Sequence, residues 1–217
     1  MTTIWLTRHA ESADPTVFHG AESNIGLSPL GARQAAAAAE WFRSHRPTAV
    51  VSSAMLRARE TAAPVAAACG VPHVLEPDLH ERRVGELSGT SFSSSSGPWH
   101  DTIHRWMAGD TAYTTPGAES LDELLARLIP ALERVAKRFP DGRVVVVAHG
   151  VVCKVLILSL LPDRGFADWQ KLGKVPNLAV SELHFDGTNW SAGSLLELPP
   201  PVAALASSTA SGEKSQG

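Results

Sequence analysis

The chain sets an arginine and a histidine side by side, Arg8-His9, directly after the apolar run Ile4-Trp5-Leu6. A neutral imidazole is a nucleophile, and a guanidinium is a permanent cation that grips oxyanions at two points. A short apolar strand ending in that pair would hold both at one edge of a sheet. Two later segments repeat the arrangement: Thr48 to Ser52 leads into Ser53-Ala54-Met55-Leu56-Arg57, and Val144 to Ala148 leads into His149-Gly150. Taken singly, Arg57 reads as a solvated helix residue and His149 as a hydrogen-bonded structural histidine. In a parallel sheet all three junctions share one edge, so Arg8, His9, Arg57 and His149 are expected to meet as an anion pocket. Phosphate suits it best, since charge-assisted hydrogen bonds of about 1.5–3 kcal/mol each hold a dianion without a metal. The sequence carries no P-loop and no acidic cluster for Mg²⁺, which favours the same arrangement.

The elements that must position these groups follow from pattern. Ser28-Pro29 reads as an N-cap and first helical residue, opening an Ala-rich helix to about His45. Leu56 and its neighbours favour a helix to Gly70, bent at Pro64, and Val71 to Leu75 is a further strand candidate. Ser88 to Gly97 is low in complexity and expected to be mobile, and Pro98 to Gly109 reads as a short helix. Ser120-Leu121-Asp122-Glu123 fits a capping box, followed by leucines at helical spacing up to Phe139. Val144 to Ala148 has the near-continuous apolar character of a central parallel strand, and Val151 to Leu161 reads as the next helix. Asn177 to Phe185 and Trp190 to Leu196 are strands joined by the turn Asp186-Gly187-Thr188-Asn189. This alternation predicts an α/β fold: three αβα layers around a mostly parallel sheet. A single domain is expected over 1–198, with a disordered Pro/Ala/Ser tail over 199–217.

Composition narrows the function classes. The 217 residues are 44% hydrophobic and carry a net charge of −3, so no global basic field steers nucleic acid or an anionic membrane, and neither is expected as a partner. Two cysteines, Cys69 and Cys153, lie far apart in apolar surroundings and read as reduced core thiols of a cytoplasmic protein. The N-terminus shows no secretory signal, and His149, Gly150 and Lys154 interrupt the apolar run 144–161 that would otherwise suggest a membrane span. His100 and His104 lie four apart without a third ligand, so no metal and no cofactor is expected, and the six tryptophans read as packing.

Read in order, Thr7-Arg8-His9-Ala10-Glu11, Leu27-Ser28-Pro29-Leu30-Gly31 with Gln34-Ala35, Ser52-Ser53 with Arg57-Ala58-Arg59-Glu60-Thr61-Ala62, Glu81 before Gly85, Gly117-Ala118-Glu119-Ser120 and Ala148-His149-Gly150 resemble the histidine phosphatase superfamily, the phosphoglycerate mutase-like family. The resemblance covers residues 2 to about 185. It implies a phosphoglycerate mutase-like fold, with His9 as the nucleophile that becomes phosphorylated. Arg8, Arg57 and His149 would surround the transferring phosphoryl group, and Glu81 would protonate the leaving oxygen. The chemistry agrees: a nucleophilic imidazole splits hydrolysis into two displacements, and surrounding cations stabilise the equatorial oxygens. A general acid must titrate near the working pH. The bland alternative for Glu81 is a surface ion pair with Arg82 or Arg83. The family branch that takes its acid from an Asp after the second histidine has His-Asp where this chain has His149-Gly150, which supports Glu81.

The mutases of this family place Trp-Asn after their Arg-His-Gly-Glu, whereas Ser12-Ala13-Asp14-Pro15 follows here. Their Glu-Arg-His-Tyr-Gly becomes Glu81-Arg82-Arg83-Val84-Gly85, and their long basic insertion is short, Ser-rich and carries only Arg105. Hydrolysis of a small phosphomonoester is therefore favoured over mutase transfer or a phosphate-binding scaffold without turnover. Ser12, His19, Gly20, Arg82 and Asn177 are assigned as substrate contacts, and the molecule is expected to be a monomer or homodimer.

Overall fold

The computed structural model describes residues 1–91 and 97–205. Part of the Ser-rich stretch, 92–96, and the end of the chain, 206–217, lie outside the described residues. Six strands form one sheet: β1 Thr2–Arg8, β2 Ala49–Ser52, β3 His73–Leu75, β4 Arg143–Ala148, β5 Val180–Phe185 and β6 Trp190–Ala192, in the order β3-β2-β4-β1-β5-β6. The first four run parallel, while β5 adds antiparallel to β1 and β6 to β5. Arg8 pairs with Ala148 and Ser52 with Val147, so β1, β4 and β2 end level with one another. That register brings the three junctions to one edge.

Helices cover both faces. α1 (Pro29–His45) and α2 (Leu56–Cys69) pack with Trp5, Val50, Val145 and Val147; α3 (Pro98–Met107), α4 (Leu121–Arg138) and α5 (Gly150–Leu160) pack with Ile4, Leu6, Val51, Val144 and Val146. Successive residues of β1 and β4 thus feed opposite cores, as a strand buried on both sides requires. The fold is the expected three-layer α/β arrangement with a mostly parallel sheet. Ser28 caps α1 through the Gly31 N–H, and the Ser120–Glu123 capping box opens α4. Pro64 sits inside α2.

Several expected boundaries shift for local reasons. The strand after α2 starts at His73, because Gly70 takes a left-handed conformation and the Val71 N–H is spent on Ala66. The last strand stops at Ala192, beyond which Gly193 N–H donates to Glu182 O, Ser194 O accepts from Glu182 N–H, and Glu197 and Val180 exchange both backbone bonds. A short helix α6 (Trp169–Leu172), preceded by a 3₁₀ turn at Phe166–Asp168, was not legible as an element. The tail is corrected in its first part: residues 200–205 are helical, and Val202, 2% exposed, packs in the α1/α2 core. Both cysteines are free; Cys153 is buried, but Cys69 is partly exposed and is no core thiol. No described helix is long and apolar enough to cross a membrane.

These contacts rank two substitutions. Leu128→Ala removes a fully buried α4 side chain and should cost about 2–5 kcal/mol, whereas Ser120→Ala removes one arm of the capping box and should cost about 1 kcal/mol. Urea unfolding of both variants checks the order; a Ser120→Ala loss equal to that of Leu128→Ala would contradict it.

Candidate active site

His9 follows the last residue of β1, and its backbone N–H donates to the Ala148 carbonyl at 2.9 Å, extending the ladder by one step. Its side chain is 4% exposed, and Nδ1 lies 2.6 Å from the Ala10 carbonyl oxygen. A carbonyl only accepts, so Nδ1 carries the proton and Nε2 keeps its lone pair. That lone pair accepts from Arg57 Nε at 3.2 Å. Burial, then the charges of Arg8 and Arg57, push the His9 imidazole well below the usual range, so it is neutral at physiological pH.

Arg57, in the first turn of α2, is held by neutral acceptors: Nη1 donates to Ser23 O and Nη2 to Gly20 O, both at 2.9 Å. Gly20 has a positive φ of 55°, and a Cβ there would lie 2.2 Å from Glu22 Oε2 and 2.6 Å from Val84 Cγ2, so glycine is what lets its carbonyl reach the guanidinium. Arg8 donates from Nη1 to Val175 O at 2.9 Å, and its buried Nε has no partner. His149, the residue capping α5, is fully buried, with ring centroids 5.1 Å from His9. Neither of its ring nitrogens has a hydrogen-bond partner among the described residues. Burial, then Arg57, His9 and Arg8, lower its imidazole in the same way.

These groups lie at the foot of a cleft of about 580 Å³ lined by Arg8, His9, Arg57, Glu81, Ser12, His19, Gly20 and Asn177 among others. The structure brings those residues together on one cleft, with His149 buried against His9. Glu81 sits on the wall, its Oε1 accepting from the Arg82 N–H at 2.9 Å and its Oε2 from the Val151 N–H at 3.4 Å. It forms no ion pair with Arg82 or Arg83 among the described residues; Arg83 instead meets Glu119 at 3.3 Å. Asn177 Nδ2 donates to the His9 carbonyl at 2.8 Å, and His19 bonds Ser23 and Asp14 O.

Arg82 is a correction. It is absent from the cleft wall and fully buried, donating to Glu119 O and Thr114 Oγ1 with its guanidinium 4.9 Å from the Trp106 ring and 5.3 Å from Trp99. The two indoles of α3 present their ring faces to the planar cation. Burial lowers it to about 10. Lys154, Lys174, Trp99 and Trp169 also line the cleft and were not assigned to it from sequence. For Lys154 the signal was present: it is the sole charged side chain within α5.

A second layer holds Glu81. Arg127 on α4 donates to the carbonyls of Asp78, His80 and Glu81 and grips the Glu119 carboxylate at 2.8 and 3.0 Å. Burial pushes the Glu119 carboxyl up, but the Arg127 hydrogen bond and charge and the Arg83 N–H outweigh it and hold it below its ordinary value.

The arrangement can bind a tetrahedral oxyanion beside a neutral imidazole with a carboxyl opposite. No group of three or more His, Cys, Asp or Glu among the described residues could hold a metal. Fold and site thus define an α/β protein whose cleft gathers two guanidinium groups about a buried histidine pair. The chain matches the model of the histidine phosphatase superfamily (branch 1) over residues 4–196 and belongs to that superfamily. It is 34% identical over 88% of its length to the metal-independent phosphoserine phosphatase of Arabidopsis thaliana, covering 79% of that protein. The probable phosphoglycerate mutase of Photorhabdus laumondii is 28% identical, over 93% of this chain and 97% of its own. Among solved structures, a mycobacterial glucosyl-3-phosphoglycerate phosphatase superposes with a TM-score of 0.76 at 25% identity, over 89% of this chain and 98% of that one. By family and relatives the chain is a phosphatase.

Two expectations follow. The His9 and His149 imidazoles stay neutral as pH falls through about 6.5, where an ordinary imidazole charges. The unfolded chain takes up those protons while the folded one does not, so this contribution to stability is complete above that pH and is lost below it. Inorganic phosphate should raise both midpoints; imidazole NMR titration measures them, and midpoints at 6.5 without phosphate would contradict the buried neutral pair. Arg127→Met removes the two-point grip on the Glu119 carboxylate, 1% exposed, and leaves it only the Arg83 guanidinium at 3.3 Å and the Arg83 N–H, at a cost of about 1.5–3 kcal/mol read by chemical denaturation.

Proposed function

We propose that this protein hydrolyses small phosphomonoesters without a metal, through a phosphohistidine on Nε2 of His9. One observation carries the reading: the Nδ1 proton is committed to the Ala10 carbonyl, and the lone pair of Nε2 meets an arginine N–H at 3.2 Å in the cation-lined foot of the cleft. A binding module needs the cations but has no use for a tautomer-locked nucleophile.

In the first displacement Nε2 forms a bond to phosphorus as the ester P–O bond breaks, and Glu81 gives its proton to the departing oxygen. The alcohol leaves. In the second, the Glu81 carboxylate takes a proton from water as that water attacks phosphorus, the N–P bond breaks, and His9 returns neutral with inorganic phosphate as product. Arg8 and Arg57 neutralise charge on the phosphoryl oxygens throughout, which is the largest service a protein gives this reaction. The buried nitrogens of His149 provide a further hydrogen-bonding face beside His9.

Phosphoserine and glucosyl-3-phosphoglycerate, the compounds in the relatives' names, are both small phosphomonoesters that bear a carboxylate, so acidic esters of this kind are the first substrates to offer. Purified protein should release inorganic phosphate from them in the presence of a chelator, and should trap an acid-labile, alkali-stable label on His9. His9→Ala should abolish turnover and labelling while still binding phosphate. Turnover that survives this substitution would overturn the reading, and so would protein that interconverts phosphoglycerates while releasing no phosphate.

A further inference from the structure

We propose that Lys154 forms a second anion subsite in the cleft, which selects phosphomonoesters whose leaving group carries a carboxylate. The inference rests on the phosphatase reading above and adds to it the residue that chooses among substrates.

Gly150, Val151 and Lys154 of α5 all line the cleft. Residues spaced by three and four along a helix share a face, so Lys154 stands on the α5 face that carries Gly150 and Val151, one turn on from the His149 end of the helix. Lys154 is only 8% exposed. Its Nζ donates to Gly173 O at 2.6 Å and lies 4.3 Å from the Trp169 ring centre. Both partners are neutral, and no carboxylate pairs with Lys154 among the described residues. An ammonium has three N–H donors, so the single carbonyl leaves donors for a ligand.

A lysine this enclosed ordinarily has a carboxylate partner, because desolvating a charge without one is costly. Here burial brings its pKa down to about 8, which still leaves it mostly charged at neutral pH. The charge balance of the cleft points the same way. Its lining holds four permanent or lysine cations, Arg8, Arg57, Lys154 and Lys174, against the two carboxylates Glu11 and Glu81. Glu11 is engaged by the Ser28 hydroxyl at 2.7 Å. With a phosphoryl dianion on Arg8 and Arg57, and Glu81 holding the proton it gives to the leaving oxygen, the four cations of the lining exceed the dianion and the Glu11 carboxylate by one charge, which falls to Lys154 and the exposed Lys174. A carboxylate within a few bonds of the ester oxygen supplies the missing charge.

The matched probes are 3-phosphoglycerate and glycerol 3-phosphate, which differ by a carboxylate against a hydroxymethyl group. Wild-type protein should show the higher kcat/KM on 3-phosphoglycerate. Lys154→Met should lower the ratio of the two kcat/KM values by about 10- to 150-fold, mainly through KM on the acidic ester, and Lys154→Arg should restore most of it. A strap role for Lys154 alone would lower both substrates together and leave the ratio fixed, which would overturn the proposal. Wild-type protein that hydrolyses both esters equally well would also overturn it, whether or not the variant folds, while leaving the phosphatase reading intact. If wild-type protein hydrolyses neither ester, calorimetric binding of the two esters tests the subsite by itself, with equal affinity overturning it, while phosphate release from phosphoserine tests the phosphatase reading separately.

Discussion

The cleft depends on one short contact, the 2.6 Å hydrogen bond from His9 Nδ1 to the carbonyl of the next residue, Ala10. It decides which ring nitrogen keeps a lone pair, and so which atom can attack. The contact is cheap to make and hard to lose, because the Ala10 carbonyl and the His9 ring belong to adjacent residues. Ala10 is itself pinned: its N–H donates to Thr61 Oγ1 at 3.0 Å, and that hydroxyl donates onward to Arg57 O at 2.7 Å. One threonine therefore ties the nucleophile's backbone to the helix that carries its guanidinium partner.

The second constraint is how cations are held close without being neutralised. Arg8 is anchored on Val175 O, Arg57 on Gly20 O and Ser23 O, and Lys154 on Gly173 O. None of the three takes part in an ion pair among the described residues. A carboxylate anchor would fix the side chain equally well but would cancel the charge the ligand needs. A carbonyl fixes direction and leaves the charge in place. The same choice adds to the depression of the imidazoles: burial comes first, and the uncancelled guanidinium charge further keeps the rings neutral. Several arginines outside the cleft are paired instead: Arg127 and Arg83 meet Glu119, and Arg134 meets Glu76 and Asp78.

Legibility in the sequence follows from how local each cause is. The parallel core could be read because β4 is apolar on both faces and the capping box of α4 lies within four residues. The meeting of Arg8, His9, Arg57 and His149 could be read because strand ends share an edge whatever the side chains do. Arg82 was misassigned because its neighbour Glu81 faces the cleft, whereas Arg82 is drawn into the interior by Trp99 and Trp106, some twenty residues on. Sequence shows no such pull. Lys154 was passed over since one lysine in an apolar helix reads as an interruption until Gly173 and Trp169 are seen to enclose it. The helical start of the tail escaped because Pro and Ala composition alone does not reveal that Val202 meets a distant core.

The ordered motifs contain many residues that touch no ligand-facing surface, and the structure gives each a mechanical reason. Ser28 caps α1 through the Gly31 N–H and at the same time donates to Glu11 Oε1. Gly31 must lack a side chain, since a Cβ would come within 2.1 Å of the Glu11 carbonyl oxygen. Gln34 accepts from the Glu11 N–H at 3.0 Å, and Glu60 accepts from the Leu27 N–H at 2.8 Å. Three of these bonds capture backbone N–H groups, those of Glu11, Leu27 and Gly31, and they add to the loop's own backbone bonds from Ala13 N–H to Gly26 O and Ser28 N–H to Glu11 O. The motif is best understood as a frame of side-chain-to-backbone bonds, joining α1 and α2 to the strand that carries the nucleophile. A chain that kept Arg8, His9, Arg57 and His149 but lost this frame would retain the chemistry's parts without the sub-ångström placement that phosphoryl transfer demands.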